Sequence, residues 1–186
     1  MDNLTYEKRL ISKAARSHTP INGSFELLPL CNMNCGMCYV RLSRPEMDLQ
    51  GHLHSAAEWI SLARQMQKSG TLFLLLTGGE PLLFPDFKTL YLELRSMGMI
   101  LTINTNGTLI DETWADFFAQ YPPRRINITL YGTSKETYRD LCHYEDGFEK
   151  ALRGIRLLRE RNVDVKINGS LVRSNSTDVD SLVALA

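Results

Sequence analysis

A chain of 186 residues, 44% hydrophobic and 23% charged, has the makeup of one soluble domain with a substantial core. Its 21 basic and 21 acidic side chains cancel, so no net field draws it to nucleic acid or to a membrane surface. It has no apolar run of the roughly eighteen residues that a membrane span needs, and Met1–Ser17 has no signal core, so its four cysteines are expected in a reducing cytoplasm.

A helix is expected over about residues 5–17, followed by a strand over Gly23–Leu30. Ala56–Lys68 carries one apolar stripe of Ala56, Trp59, Ile60, Ala63 and Met66, the mark of an amphipathic helix. Thr71–Leu76 is a nearly continuous apolar run, as in a strand covered on both faces. Phe87–Met97 reads as a helix, Met99–Asn104 as a strand, and Asp111–Gln120 as a helix capped by Asp111. Pro122-Pro123 leads into a strand over Arg125–Tyr131. Gly147–Arg161 is a helix with Phe148, Ala151, Leu152, Ile155 and Leu158 on one face. Val163–Val172 is a fifth strand, and Asp178–Ala186 starts another helix.

Strands and helices alternate, which implies right-handed βα units and a parallel α/β sheet, either open or curled into a barrel. In both forms ligands gather at the C-terminal ends of the strands. The unusual residues fall at those ends.

After the first strand comes Leu30-Cys31-Asn32-Met33-Asn34-Cys35-Gly36-Met37-Cys38-Tyr39. Thiolates are the usual protein ligands of iron–sulfur clusters. Three of them on a four-iron cube leave one iron open to a reactant, so the C-x3-C-x2-C spacing points to catalysis. Asn32, Asn34 and Gly36 disfavour a helix and favour a loop wrapped around something. Structural zinc takes four ligands, and His52 and His54 lie well downstream. On spacing alone, a zinc knuckle and buried free thiols both stay open.

After the second strand, Gly78-Gly79 lets the backbone approach a ligand, Glu80 offers a carboxylate and Pro81 fixes the exit of the turn. That set suits an ammonium group, although a tight turn with a solvated Glu reads equally well. Asn104, Asn106 and Gly107 could bond a hydroxylated ligand or form a plain Asn-Gly turn. Thr129 and Tyr131 share one face of the fourth strand, and Lys166, Asn168 and Ser170 share one face of the fifth. Those faces line a pocket only if they point inward. Cys142 stands apart as a buried or partly exposed thiol. His18, His52, His54 and His143 show no metal spacing and receive no role.

Together these motifs resemble the radical S-adenosylmethionine (SAM) enzyme superfamily over about residues 21–175. The resemblance rests on Cys31-x3-Cys35-x2-Cys38, Gly78-Gly79-Glu80-Pro81, Thr105-Asn106-Gly107-Thr108-Leu109-Ile110, Ile128-Thr129-Leu130-Tyr131-Gly132 and Val165-Lys166-Ile167-Asn168. Their order is similar to that of the peptide- and cofactor-maturing branches.

The resemblance implies a partial parallel (β/α) barrel. An N-terminal helical segment (residues 1–20) would precede a core (21–186) holding about five of the family's usual six units. It also implies a [4Fe-4S] cluster on Cys31, Cys35 and Cys38, with SAM on the open iron. Gly78, Gly79, Glu80 and Pro81 would hold the SAM amino group, and Asn104, Thr129 and Asn168 its ribose or carboxylate.

The implied activity is reductive cleavage of SAM to a 5′-deoxyadenosyl radical that takes hydrogen from a substrate, with a flavodoxin- or ferredoxin-like electron donor. The substrate itself is unread, and a peptide or cofactor precursor is the implied class. Three residues depart from the pattern: Met37 where an aromatic is common, Tyr131 where several peptide-modifying members carry Asp, and Cys142 where some place Arg. Two other readings are a non-catalytic iron–sulfur redox or sensor protein and a zinc-stabilised binding module.

Overall fold

A computed structural model describes residues 3–185. The elements run α1 (Asn3–Arg16), β1 (Asn22–Glu26), α2 (Arg44–Gln50), α3 (Ala56–Lys68), β2 (Phe73–Thr77), α4 (Phe87–Ser96), β3 (Ile100–Thr105), α5 (Glu112–Gln120), β4 (Arg125–Leu130), α6 (Lys135–Cys142), α7 (Gly147–Glu160), β5 (Val165–Gly169) and α8 (Val179–Leu185). Short 3-10 turns cover Pro81–Leu83 and Arg173–Asp178. The sheet order is β1-β2-β3-β4-β5, and every neighbouring pair is parallel. Each βα unit thus adds at the same edge. The expected partial barrel is what the chain forms, open between β1 and β5.

Strand side chains divide by the two-residue period. Leu74, Leu76, Leu101, Ile103, Ile126, Ile128 and Leu130 are buried on the convex face, together with Phe87, Leu90 and Leu94 of α4, Phe118 of α5 and Leu158 of α7. Burying one such side chain contributes about 1.5–3 kcal/mol. Tyr91 joins this layer and donates its hydroxyl to the Tyr121 carbonyl at 2.7 Å, so its polar end is satisfied.

The alternate positions Phe73, Leu75, Thr102, Asn104, Asn127 and Thr129 are only half-buried. The run Thr71–Leu76 is therefore covered fully on one face, not on both. Asn127 Nδ2 donates to Asn104 Oδ1 at 2.7 Å across this second, concave face.

Four elements differ from the sequence expectation. β1 stops at Glu26, although Leu27 N still donates to the Thr77 carbonyl at 2.9 Å and Gly79 N to the Leu28 carbonyl at 2.7 Å. β5 stops at Gly169, because Asn175 takes over the backbone groups beyond it. Asn175 is fully buried, accepts from Val172 N at 2.7 Å, and donates to the carbonyls of Tyr131 at 2.6 Å and Ser170 at 2.8 Å.

The other two differences are α2 and α6, both short helices started by serine caps. Ser43 and Glu46 form a capping box at α2, and the Ser134 side chain accepts from Thr137 N at α6. The Ser-x-x-Glu pattern before α2 was legible. At seven and eight residues, both helices are shorter than the window over which apolar periodicity stands out.

Gly154 is where α7 crosses the turn after β3. A Cβ there would come within 2.5 Å of the Gly107 carbonyl oxygen and 3.1 Å of Ile110 Cβ. Alanine would gain about 1 kcal/mol of helix propensity, but overpacking against backbone costs about 1–3 kcal/mol. Gly154→Ala is expected to lower stability on balance. A urea midpoint equal to or above that of the parent chain would show the crossing to be looser than described.

Candidate cluster and cofactor site

Between β1 and α2 the chain runs through an irregular loop that carries the cysteine trio. Its shape comes from backbone bonds to the end of α6: Asn34 N donates to the Cys142 carbonyl and Gly36 N to the Leu141 carbonyl, both at 2.9 Å. Main-chain N–H groups also turn toward sulfur. Met33 N donates to Cys31 Sγ at 3.4 Å and Arg41 N to Cys38 Sγ at 3.3 Å. Donors aimed at sulfur suit thiolates that carry negative charge, so the donor set fits a group that takes three of them.

Cys142 does not stand apart from the trio. It is fully buried with Met33 and Tyr138, and Cys35 packs against that cluster. Its thiol, followed by the Tyr131 hydroxyl, holds the Cys35 thiol below its ordinary value. Contact with Cys35 and burial push Cys142 itself upward, so Cys35 ionises first and Cys142 stays a donor. Burial pushes Cys31 up to about 11, against the pull of the Met33 N–H. The sequence set Cys142 apart from the trio, because only the return of α6 to the loop brings it there.

Glu80 is fully buried. Its Oε1 accepts from Thr105 Oγ1 at 2.7 Å and Leu82 N at 3.1 Å, and its Oε2 accepts from Asn106 N at 2.9 Å. The carboxylate therefore braces the turn after β3 from behind. Asn106 in turn passes its amide to Asn32 Oδ1 at 2.9 Å and to Cys31 Sγ at 3.7 Å, while Asn32 Nδ2 donates to Thr108 Oγ1 at 2.8 Å. Asn32, Asn106 and Thr108 thus join the cysteine loop to the β3 turn. From sequence alone, Asn106 reads as an ordinary turn residue or a ligand contact.

Gly78 and Gly79 are glycine for a reason in the chain itself. A Cβ at Gly78 would lie 2.6 Å from the Leu28 carbonyl oxygen, and one at Gly79 would lie 2.2 Å from that of Leu30. Gly78 also has φ +142. The backbone leading into the cysteine loop lies directly on this turn.

A cavity of about 250 Å3 opens at the C-terminal ends of the strands. Cys31, Cys35, Cys38, Gly78, Gly79, Asn104 and Thr129 all line it, joined by Asn106, Tyr131 and Ser170. Glu80, Pro81 and Asn168 are not part of its wall. Asn168 pairs in register with Thr129, and Pro81 is buried at the start of its 3-10 turn.

Residues 25–186 match the family profile of the Radical SAM superfamily. The chain belongs to the radical SAM superfamily. Members use a [4Fe-4S] cluster and SAM. Among similar sequences is the sporulation killing factor maturation protein SkfB of Bacillus subtilis (strain 168), 24% identical over 173 residues, which are 93% of this chain and 41% of SkfB. Another is the Fe-coproporphyrin III synthase of Methanosarcina barkeri (strain Fusaro / DSM 804), 28% identical over 155 residues, 83% of this chain and 38% of the synthase.

Among solved structures, Streptococcus suis SuiB bound to its precursor peptide SuiA superposes with a TM-score of 0.75 at 19% identity, over 97% of this chain and 40% of SuiB. The synthase is an enzyme by name, and the radical SAM chain described here spans about two fifths of the length of each of the three.

Two outcomes test the site as described. In metal-free protein, iodoacetamide is expected to modify exposed Cys38 first, Cys35 ahead of Cys31, and fully buried Cys142 last, as read by peptide mass spectrometry. Modification of Cys142 as fast as Cys38 would contradict its packing.

Glu80 gives the second outcome. Burial outweighs its three donors and lifts its carboxyl from 4.5 to about 7. The folded state thus holds the proton more tightly than the unfolded chain. The resulting stability is fully present below about pH 4.5 and is lost as pH rises through about 7, a change of about 3 kcal/mol. Urea midpoints between pH 4.5 and 8 should show this slope, and Glu80→Gln should flatten it. An unchanged slope in the variant would assign the effect elsewhere.

Proposed function

We propose that this chain is the catalytic core of a radical SAM enzyme that acts on a peptide. In this reading Cys31, Cys35 and Cys38 hold the [4Fe-4S] cluster, and the adjoining cavity takes SAM. The observation that carries it is the shared cavity: three sulfurs of one loop face the same space as Gly78, Gly79, Asn104 and Thr129. When bound, the cluster and SAM supply a 5′-deoxyadenosyl radical by one-electron cleavage, and the radical removes hydrogen from the substrate.

The chain's own residues place and shield that chemistry. Gly78 and Gly79 bring peptide groups to the cavity wall without a Cβ and suit the ammonium of SAM. Asn104 and Thr129 offer an amide and a hydroxyl for its ribose or carboxylate, and Asn168 stands next to Thr129 in register. Glu80 acts from behind by holding Asn106, and Asn106 holds Cys31. Cys142 and Tyr131 pack beside Cys35, and polar groups next to a ligand sulfur help set a cluster's potential.

A peptide substrate is supported by SuiB, whose structure holds a precursor peptide, and by the PqqA peptide cyclase of Rhizobium meliloti (strain 1021), 24% identical to this chain. A flavodoxin- or ferredoxin-like protein would supply the electron. Four free cysteines suit a reducing cytoplasm, and among the described residues no helix is long and apolar enough to cross a membrane.

Anaerobic reconstitution should give about four irons and four sulfides per chain, and Cys31→Ala, Cys35→Ala or Cys38→Ala should abolish them. Adding SAM should change the electron paramagnetic resonance signal of the reduced cluster. A cluster blind to SAM would favour the non-catalytic iron–sulfur reading, and colourless zinc-loaded protein the binding-module reading. Asn104→Ala should weaken SAM binding about tenfold while leaving iron content intact, the loss of about one hydrogen bond to a ligand. Glu80→Ala strands three buried donors at about 1 kcal/mol or more each, so it should reduce iron content as well as SAM affinity. Normal iron content in that variant would separate Glu80 from the cysteine loop.

A further inference from the structure

The loop between α2 and α3 brings together three donor groups that have no part in the cluster site. His52 Nε2 and His54 Nδ1 each lie 3.5 Å from Glu58 Oε1, and all three atoms fall within 4.8 Å of one another. From this geometry we infer that His52, His54 and Glu58 form a second metal site, which takes a zinc-type divalent cation.

The distances suit coordination as well as simple pairing. At 3.5 Å each contact is longer than a good N–H···O hydrogen bond, and an exposed ion pair adds little stability. Zinc, however, holds imidazole nitrogen and carboxylate oxygen at about 2.0–2.2 Å in a tetrahedron, whose edges are then about 3.4 Å. Both observed N···O separations match that edge. Two imidazoles with one carboxylate also suit zinc, copper or nickel rather than calcium or magnesium. Three protein ligands leave one coordination position for water or another donor, as in open zinc sites.

The ligands are held in place from outside. Glu58 is the third residue of α3, and its Oε2 accepts from the Ser55 backbone N–H and hydroxyl, both at 2.8 Å. This capping box leaves Oε1 as the oxygen facing the imidazoles. The His54 ring meets the Trp59 indole edge-on at 5.5 Å, and Trp59 is itself anchored on Phe25 at 4.6 Å. Partners of this kind, which orient a metal ligand, are a normal part of a working site.

His52, His54 and Trp59 line a cavity of about 410 Å3 that adjoins the cluster cavity through Tyr39 and Val40. The Trp59 Nε1 is buried without a hydrogen-bond partner. His52 and His54 are more than half exposed, and a cation reaches them from solvent. The site does not rest on the cluster reading.

The test uses the full chain and zinc chloride, followed by imidazole 1H–15N correlation spectra. The chain has four histidines, so each reports separately. Zinc should shift His52 and His54 and leave His18 and His143 in place, whether or not the cysteines also take metal. His54→Ala should weaken this response about tenfold or more. So should Glu58→Gln, which removes the ligand charge but keeps an acceptor for the Ser55 cap. The inference is overturned if the His52 and His54 signals do not move, if all four histidines shift alike, or if either variant binds zinc as the parent chain does.

Discussion

Glu80 sits with its carboxylate in the interior, and the loops at the ends of three strands are organised around it. Its backbone N–H donates to the Leu30 carbonyl at 2.9 Å, one residue before Cys31. Its side chain accepts from the start of its own 3-10 turn and from the turn after β3. A carboxylate without water is costly, and each donor offsets part of that cost. Removing any one contact would expose the remainder of the penalty. The cysteine loop, the Gly-Gly turn and the Thr105–Thr108 turn are therefore energetically linked, although far apart in sequence.

The parallel sheet makes that linkage possible. Every strand ends at the same rim, so loops from β1, β2 and β3 reach each other without long excursions. The convex face is sealed by α4, α5 and α7, which leaves the concave face half-buried and polar. Asn104 and Thr129 belong to that face and continue it up to the cavity. α6 contributes from the other side: its last turn accepts the backbone N–H groups of Asn34 and Gly36, and it buries Cys142 beside Cys35. The protein environment of Cys35 is thus made by a segment far downstream of the loop that carries it.

For a radical SAM protein this division of labour is physically sensible. Reactive groups sit on irregular backbone at the strand ends, and a rigid sheet and helical layer hold that backbone in place. Tyr131 and Cys142, both departures from the family pattern, are packed against the cysteine loop. The neighbouring cavity beside α3 shares Tyr39 and Val40 with the first, so the two sites lie on one continuous surface.

The sequence by itself determined the alternation of strands and helices, the order of the strands and roughly where each lies, the parallel α/β class and the three clustered thiols. Those features are local: they depend on apolar period, caps and spacing within a few residues. It also placed Gly78, Gly79, Asn104 and Thr129 at strand ends, where ligands collect. Only the tertiary structure decided that Glu80 faces the interior, that Asn106 reaches Cys31, that Cys142 lies against Cys35, and that Asn175 ends β5. Each of these depends on which side of a turn a polar group faces, and that follows from contacts between segments remote in the chain, which local pattern does not encode.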